Sequence, residues 1–257
     1  MRVQCIGLGS LGGWGHSLFQ YVFLKHYALV NGLSPEIPLG WAGRSVLAGA
    51  AMDEVIGEEL YRRYPFDTLP DQSDTNKDLW GYWQRAEHMA GYDLKCIRDM
   101  LRLSDEYTQM YRDIQGMGNY VACHVRRGDI ARYQSDLYRI VSVDSYNRAL
   151  DEFGLSDYEI RWITAPDVKL DGVLRWRSNH EIPNHSILSW LPDFLCLIGS
   201  RVLLRANSAF SFWAGVLHQG EAVYSPCVGG STGYGDSTFE ESNKNRLMSR
   251  WEDFAWA

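Results

Sequence analysis

Six consecutive residues, His124-Val125-Arg126-Arg127-Gly128-Asp129, gather an imidazole, two guanidiniums and a carboxylate just after the apolar run Tyr120-Val121-Ala122-Cys123. Such a run reads as a buried strand, so the charged cluster falls at its carboxyl end, where open α/β sheets bind ligands. Side chains alternate along a strand, which puts His124 and Arg126 on one face and Arg127 on the other. A guanidinium there offers a rigid fork of donors matched to phosphate oxygens. The same residues also suit a structural role, with Arg127 paired to Asp129 and His124 a satisfied core residue. A second segment, Asn207-Ser208-Ala209-Phe210-Ser211, separates an apolar run from a helical pattern. Ser208 is a natural N-cap, and the free amides and dipole of a helix start also receive anions. Two phosphate-seeking features after neighbouring strands reinforce each other.

Three further segments have both a bland and a chemical reading. Gly7-Leu8-Gly9-Ser10-Leu11-Gly12 has the G-x-G-x-x-G spacing of a dinucleotide loop. Glycines at 12, 13 and 15 would each cost about 1 kcal/mol inside a helix, so the spacing predicts a long loop and a helix starting near Ser17. Such a loop either turns the chain or lets a ligand approach the backbone closely. Leu79-Trp80-Gly81-Tyr82-Trp83-Gln84 supplies aromatic faces for a core or for stacking on sugars and bases. Asp193, just after Pro192, is either a carboxylate favoured by a helix dipole or an acceptor for a nucleobase edge.

The elements that must hold these residues alternate in type. A short strand is expected over 3–6, then a helix over 17–30 that is apolar almost all round, hence buried, and ends at Asn31-Gly32. Residues 33–80 are broken by Pro35, Pro38, Pro65 and Pro70 into short elements and loops, and a helix is expected over 93–103. Beyond it the pattern predicts a strand over 120–125, a helix over 145–153 capped by Asp144, and a strand over 160–164. A helix over 191–198, a strand over 201–204, a helix after Ser208 and a short strand at Val223-Tyr224 complete it. In the helix after Ser208, Phe210, Trp213, Ala214 and Leu217 share a face. This alternation predicts α/β architecture with parallel sheets, divided near residue 115 around Gly116-Met117-Gly118.

Composition removes whole classes of function. The 257 residues are 46% hydrophobic with only 8 prolines, which excludes disorder. No apolar run reaches the ~18–20 residues that span a bilayer. The first residues lack the apolar core and cleavage site of a signal peptide, so a soluble, cytosolic protein is expected. A formal net charge of −7 argues against nucleic-acid binding. Cysteines at 5, 96, 123, 196 and 227 form no C-x-x-C pair, so neither a zinc site nor a disulfide framework has support.

In combination the motifs resemble a known family. Gly12-Gly13-Trp14-Gly15-His16-Ser17-Leu18-Phe19-Gln20-Tyr21 resembles the G-G-x-G-N-Q-[LM]-F-Q-Y segment of the family eleven glycosyltransferases, largely α-1,2-fucosyltransferases that use GDP-fucose. Gly81-Tyr82-Trp83-Gln84 is similar to their G-Y-[FW]-Q, and His124 to Asp129 to their H-x-R-R-G-D. Asp193-Phe194, with Ala206-Asn207-Ser208-Ala209-Phe210-Ser211-Phe212-Trp213, resembles their D-F…A-N-S-[ST]-F-S-W-W. The four segments run in order over residues 12–217. Three features depart from the pattern. His16-Ser17 replaces Asn-Gln, Thr164-Ala165-Pro166-Asp167 stands where Ser-Asp-Asp is usual, and the chain is slightly short.

The resemblance implies a GT-B-like fold, two Rossmann-like domains facing a central cleft. Residues 1–115 would form the acceptor side and 116–240 would bind GDP-fucose, with 241–257 packing back as a helix. It implies inverting transfer of L-fucose to a sugar hydroxyl, O2 of a galactoside, from a GDP-fucose donor to a glycan acceptor. No metal or other cofactor is expected, since a D-x-D motif is absent. Arg126, His124 and Asp129 would carry the chemistry: Arg126 on the β-phosphate, His124 orienting phosphate or ribose, Asp129 as candidate base. Gly13, Gly15, Arg126, Asp193, Asn207, Ser208, Phe210 and Ser211 would hold the donor, with Asp193 reading guanine. Two other classes stay open: an NAD(P)-dependent oxidoreductase built on the Gly7–Gly12 loop, and a nucleotide-sugar-binding module with a degenerate site.

Overall fold

The computed structural model describes residues 1–57, 61–71, 75–85, 88, 91–115, 119–128, 140–170, 172–179, 188–227, 234–235 and 238–241. Among them the chain forms two compact units, the first ending at Thr108 and the second beginning at Gln109. Each is mixed α/β around a largely parallel sheet. The boundary segment 116–118 and the expected C-terminal helix over 241–257 fall, apart from Glu241, outside the described residues.

The first unit contains β1 (Arg2–Gln4), α1 (Trp14–Asn31), β2 (Ser34–Ile37), α2 (Gly43–Val46), β3 (Glu54–Val55), β4 (Arg62–Arg63), β5 (Lys77–Asp78) and α3 (Leu94–Met100). Its sheet has the order β3-β2-β1-β5-β4, every pair parallel. Helix α1 starts at Trp14, three residues before the expected start at Ser17. Its first turn buries Trp14, whose ring stacks on Trp41 at 6.1 Å, and that burial outweighs the roughly 1 kcal/mol penalty of Gly15. At the other end Gly32 takes the left-handed conformation (φ 62°) that closes the helix, as its position after Asn31 implies. Trp83 is fully buried and stacks face to face on Phe23 at 4.1 Å, so this member of the 79–84 segment belongs to the core.

Helix α4 (Asp105–Gln115), which the division crosses, was not expected. Its signal is plain in retrospect: Tyr107, Tyr111 and Ile114 form a buried stripe at helical spacing, with Asp105 and Glu106 in the first turn. The second unit continues with β6 (Tyr120–His124), β7 (Ile140–Val141), α5 (Val143–Glu152), β8 (Glu159–Ile163), α6 (Leu191–Gly199), β9 (Val202–Leu204), α7 (Ala209–Leu217), β10 (Ala222–Cys227), β11 (Tyr234–Gly235) and β12 (Thr238–Glu241). The cap of α5 corrects the expectation of Asp144. Ser142 is the N-cap, accepting from the Ser145 amide at 3.2 Å, and Asp144 lies inside the first turn.

The main sheet of this unit has the order β12-β10-β9-β6-β8, and only β12 runs antiparallel. Val121, Cys123 and Val125 join the core that includes Tyr146 and Leu150 of α5. Tyr120 points to the other side, where its hydroxyl donates to the Cys196 carbonyl of α6 at 2.9 Å. The chain leaves β6 for β8 on one side and then returns to β9 on the other. The order therefore reverses between β6 and β9, the point at which open α/β sheets are expected to form a ligand crevice at the carboxyl ends of their strands.

Candidate functional site

The expected phosphate-seeking segments flank this reversal. His124 is the last residue of β6, and Ser208 caps the helix that follows β9. The ladder runs one step beyond His124, because the Val125 amide donates to the Ile163 carbonyl at 2.8 Å. His124 faces α7, its ring 5.5 Å from that of Phe210, whereas Arg127 reaches the opposite way to the Val141 carbonyl at 2.9 Å. Arg127 also donates to the Arg126 carbonyl at 2.9 Å, bracing the turn that carries Arg126. Asp129 lies outside the described residues.

His124 is 7% exposed, and its Nδ1 has no hydrogen-bond partner among the described residues. Burial, with the charges of Arg126 and Arg205 beside it, pushes its pKa down to about 3. The ring is thus neutral at any working pH and can orient an anion, but it is no proton shuttle near neutrality. Its carbonyl accepts from the Tyr146 hydroxyl at 2.7 Å, and the same hydroxyl lies 3.4 Å from the Arg205 carbonyl. One buried phenol thus ties together the ends of the two strands that flank the crevice.

At α7 the side chains and the backbone divide the work. The Ser208 hydroxyl accepts from the Ser211 amide at 3.2 Å, and the Ser211 hydroxyl donates to the Ala206 carbonyl at 2.9 Å. Both hydroxyls are consumed in capping. The amides of Ala209 and Phe210 make no hydrogen bond to a described residue, which leaves two donors at the positive end of a nine-residue helix. Phe210 is half-buried, and Asn207 lies between the strand end and the cap.

Asp193 lies in the first turn of α6, at the end of β8. Its Oδ2 accepts from Arg175 Nη2 at 2.8 Å, and Arg175 Nε donates to the Thr164 carbonyl at 2.7 Å. Burial outweighs the arginine and raises the Asp193 pKa to about 6. The carboxyl edge of the sheet therefore carries, in order, the α7 amides after β9, His124 and Arg126 after β6, and the Thr164–Arg175–Asp193 group after β8. Arg175, Arg205 and Tyr146 were absent from the expectations. Arg175 has no motif around it, while Arg205 precedes Ala206-Asn207-Ser208 directly and is 1% exposed.

Gly13 and Gly15 belong to the first unit. Gly13 is the exposed N-cap of α1, and Gly15 is buried in its first turn, so Gly15 is no part of a loop that could close over a donor. The loop over 7–12 is filled by the protein itself, since a Cβ on Gly9 would lie 2.6 Å from Trp41 Cδ1. A pyrophosphate has no room to approach that glycine, and α1 begins beyond the fingerprint instead of within it. The dinucleotide reading is therefore not favoured. Among the described residues no group of three or more His, Cys, Asp or Glu could hold a metal ion, and no helix is long and apolar enough to cross a membrane.

No protein-family model and no curated protein matches the chain. Among solved structures it is similar to one described as "Crystal structure of NodZ alpha-1,6-fucosyltransferase soaked with GDP-fucose". The two are 14% identical, with 94% of this chain and 97% of the other covered and a TM-score of 0.49. A likeness that slight carries no argument about activity.

Proposed function

We propose that the protein is a fucosyltransferase moving L-fucose from GDP-fucose to the O2 hydroxyl of a galactoside with inversion, in the cytosol. The observation that supports this most is a coincidence of two independent things. Two segments that resemble the family eleven motifs, the described residues His124 to Gly128 of one and Asn207 to Ser211 of the other, flank the strand-order reversal in the second unit. A ligand crevice is expected at that point on topology alone.

In this GT-B-like reading the first unit serves the acceptor and the second the donor, each as a Rossmann-like domain. The acceptor hydroxyl attacks C1 of fucose from the side opposite GDP, through an oxocarbenium-like state, and Asp129 takes its proton. Negative charge grows on the β-phosphate as the C1–O bond breaks. Arg126 and the Ala209 and Phe210 amides stabilise that charge in place of a metal. Neutral His124 orients the phosphate, and Asp193 accepts from guanine. Gly13 keeps the turn before α1 open.

The departure at Thr164-Ala165 favours a second reading, a binding module that holds the nucleotide sugar without turnover. GDP release from GDP-fucose, measured with a galactoside acceptor and excess EDTA, separates the two. Acceptor-dependent release with EDTA present is expected. Release that requires Mg²⁺ or Mn²⁺ overturns the metal-free mechanism, and tight GDP-fucose binding without release selects the module.

A further inference from the structure

The sheet of the first unit reverses its order too. The chain leaves β1 for β2 on one side and later places β5 on the other. The residues after β1 and β5 therefore occupy the point at which open α/β sheets are expected to bind ligands. What stands there is aromatic and partly open to solvent. Phe66, three residues after β4 and 46% exposed, meets half-buried Tyr82 edge-on at 5.4 Å and half-buried Trp80 at 6.4 Å. The ring of His16, in the first turn of α1, lies 5.0 Å from that of Tyr82. The backbone that carries these rings is strained and locked. Among the described residues the non-glycine positions with positive φ are Asp67 (51°) and Trp83 (58°), and the two are joined. Asp67 Oδ1 accepts from the Trp83 amide at 2.9 Å, and the Asp67 amide donates to the Trp80 carbonyl at 2.8 Å. A Cβ on Gly81 would run into that carboxylate, so glycine lets the two loops lie this close. From α1, buried Gln20 donates to the Gly81 carbonyl at 3.0 Å. Positive φ is costly for a residue as bulky as Trp83, and such strain collects where ligands are held. Neither Asp67 Oδ2 nor the Tyr82 hydroxyl hydrogen-bonds to a described residue.

The geometry points to a sugar subsite on this platform, in which a galactopyranosyl ring lays its C–H face on Phe66 and donates a hydroxyl to Asp67 Oδ2. It rests on the reading of the first unit as the acceptor side, and neither Phe66 nor Asp67 belongs to a segment that resembles the family motifs. A sugar is amphipathic: its C–H face gains from an aromatic ring while its hydroxyls need polar partners. Galactose suits such a ring because C3–H, C4–H and C5–H share one face, which its axial O4 leaves bare. In glucose C4–H lies on the other face. A carboxylate oxygen makes the stronger, charge-assisted kind of hydrogen bond with a hydroxyl. The loops are locked before anything binds, which spares the ordering cost that erodes affinity for small ligands. Polar groups interleaved with the rings favour a sugar over a purely apolar partner surface.

The test is ligand-observed NMR titration of methyl β-galactoside and methyl β-glucoside with the full chain, and calorimetric titration of GDP into the same preparations. The galactoside should bind about threefold or more tightly than the glucoside. Phe66→Ala should weaken galactoside binding about 3- to 10-fold, and Asp67→Asn about tenfold. Asparagine tolerates a positive φ and still accepts from the Trp83 amide, so Asp67→Asn keeps the loops together and decides the matter if Phe66→Ala fails to fold. Leu29→Ala, at an exposed apolar position near the far end of α1, should leave galactoside binding unchanged. GDP affinity should stay within about twofold in all three variants. Galactoside affinity unchanged in either folded variant overturns the subsite, as do equal binding of the two sugars and no binding of the galactoside. A dimer of the full chain that Phe66→Ala converts to monomer in sedimentation velocity makes this face an interface between copies and overturns it as well. In each of these cases retained GDP binding leaves the nucleotide-sugar reading standing. Failure to bind either GDP or the galactoside removes both proposals.

Discussion

Tyr146→Phe deletes one oxygen and should disturb both stability and binding. The hydroxyl donates to the His124 carbonyl at 2.7 Å and lies 3.4 Å from the Arg205 carbonyl, in a side chain with 0% exposure. No other described group donates to the His124 carbonyl. Its loss strands a buried acceptor, which costs about 1–3 kcal/mol. For a chain of this size each kcal/mol lowers the melting temperature by about 2–4 °C. Tyr92→Phe is the matched control, because its buried hydroxyl has no partner among the described residues. Removing an unsatisfied hydroxyl should leave stability unchanged or raise it. The assay is thermal unfolding of both variants with and without pyrophosphate. Tyr146→Phe should melt lower and gain less from pyrophosphate, since the two strand ends that flank the crevice are no longer tied. Equal melting temperatures for the two variants would refute the role given to that hydroxyl.

Three other outcomes follow from the same geometry. Arg126→Lys keeps charge but loses the fork, so kcat should fall about a hundredfold or more, whereas Arg127→Lys, braced on the Val141 carbonyl, should act through melting temperature; steady-state kinetics beside thermal melts decide between them. His124 is depressed from 6.5 to about 3, so the unfolded chain binds the extra proton in that window and stability is lost as pH falls through it, on the order of 5 kcal/mol; His124→Gln should flatten this acid limb in denaturant titrations. Asp193 is raised from 3.8 to about 6, so it contributes most to stability below 3.8 and less as pH rises through 6; GDP binding runs the other way, weakening as pH falls below about 6, and Asp193→Asn should remove that dependence in calorimetry.

Much of the second unit was legible because its signals are local. A run such as Tyr120 to Cys123 reads as a buried strand, and Ser208 before an apolar helix reads as a cap that the bond from the Ser211 amide bears out. The start of α1 was misread because glycine propensity was weighed without the stacking of Trp14 on Trp41, a contact 27 residues apart in the chain. Helix α4 was missed although Tyr107, Tyr111 and Ile114 have the right spacing, because polar residues surround them. At the site, alternation along β6 put His124 and Arg127 on opposite faces. Arg175 was invisible because its role depends on Thr164 and Asp193, which come together only when β8 and α6 pack.

The central claim is that a pyrophosphate binds where the strand order reverses between β6 and β9. The most direct measurement is a crystal structure of the full chain with GDP. The account predicts the β-phosphate within hydrogen-bonding distance of the Ala209 and Phe210 amides and the Arg126 guanidinium, beside the His124 ring. GDP bound at the loop over residues 7–12, or with its phosphates away from the start of α7, would contradict it.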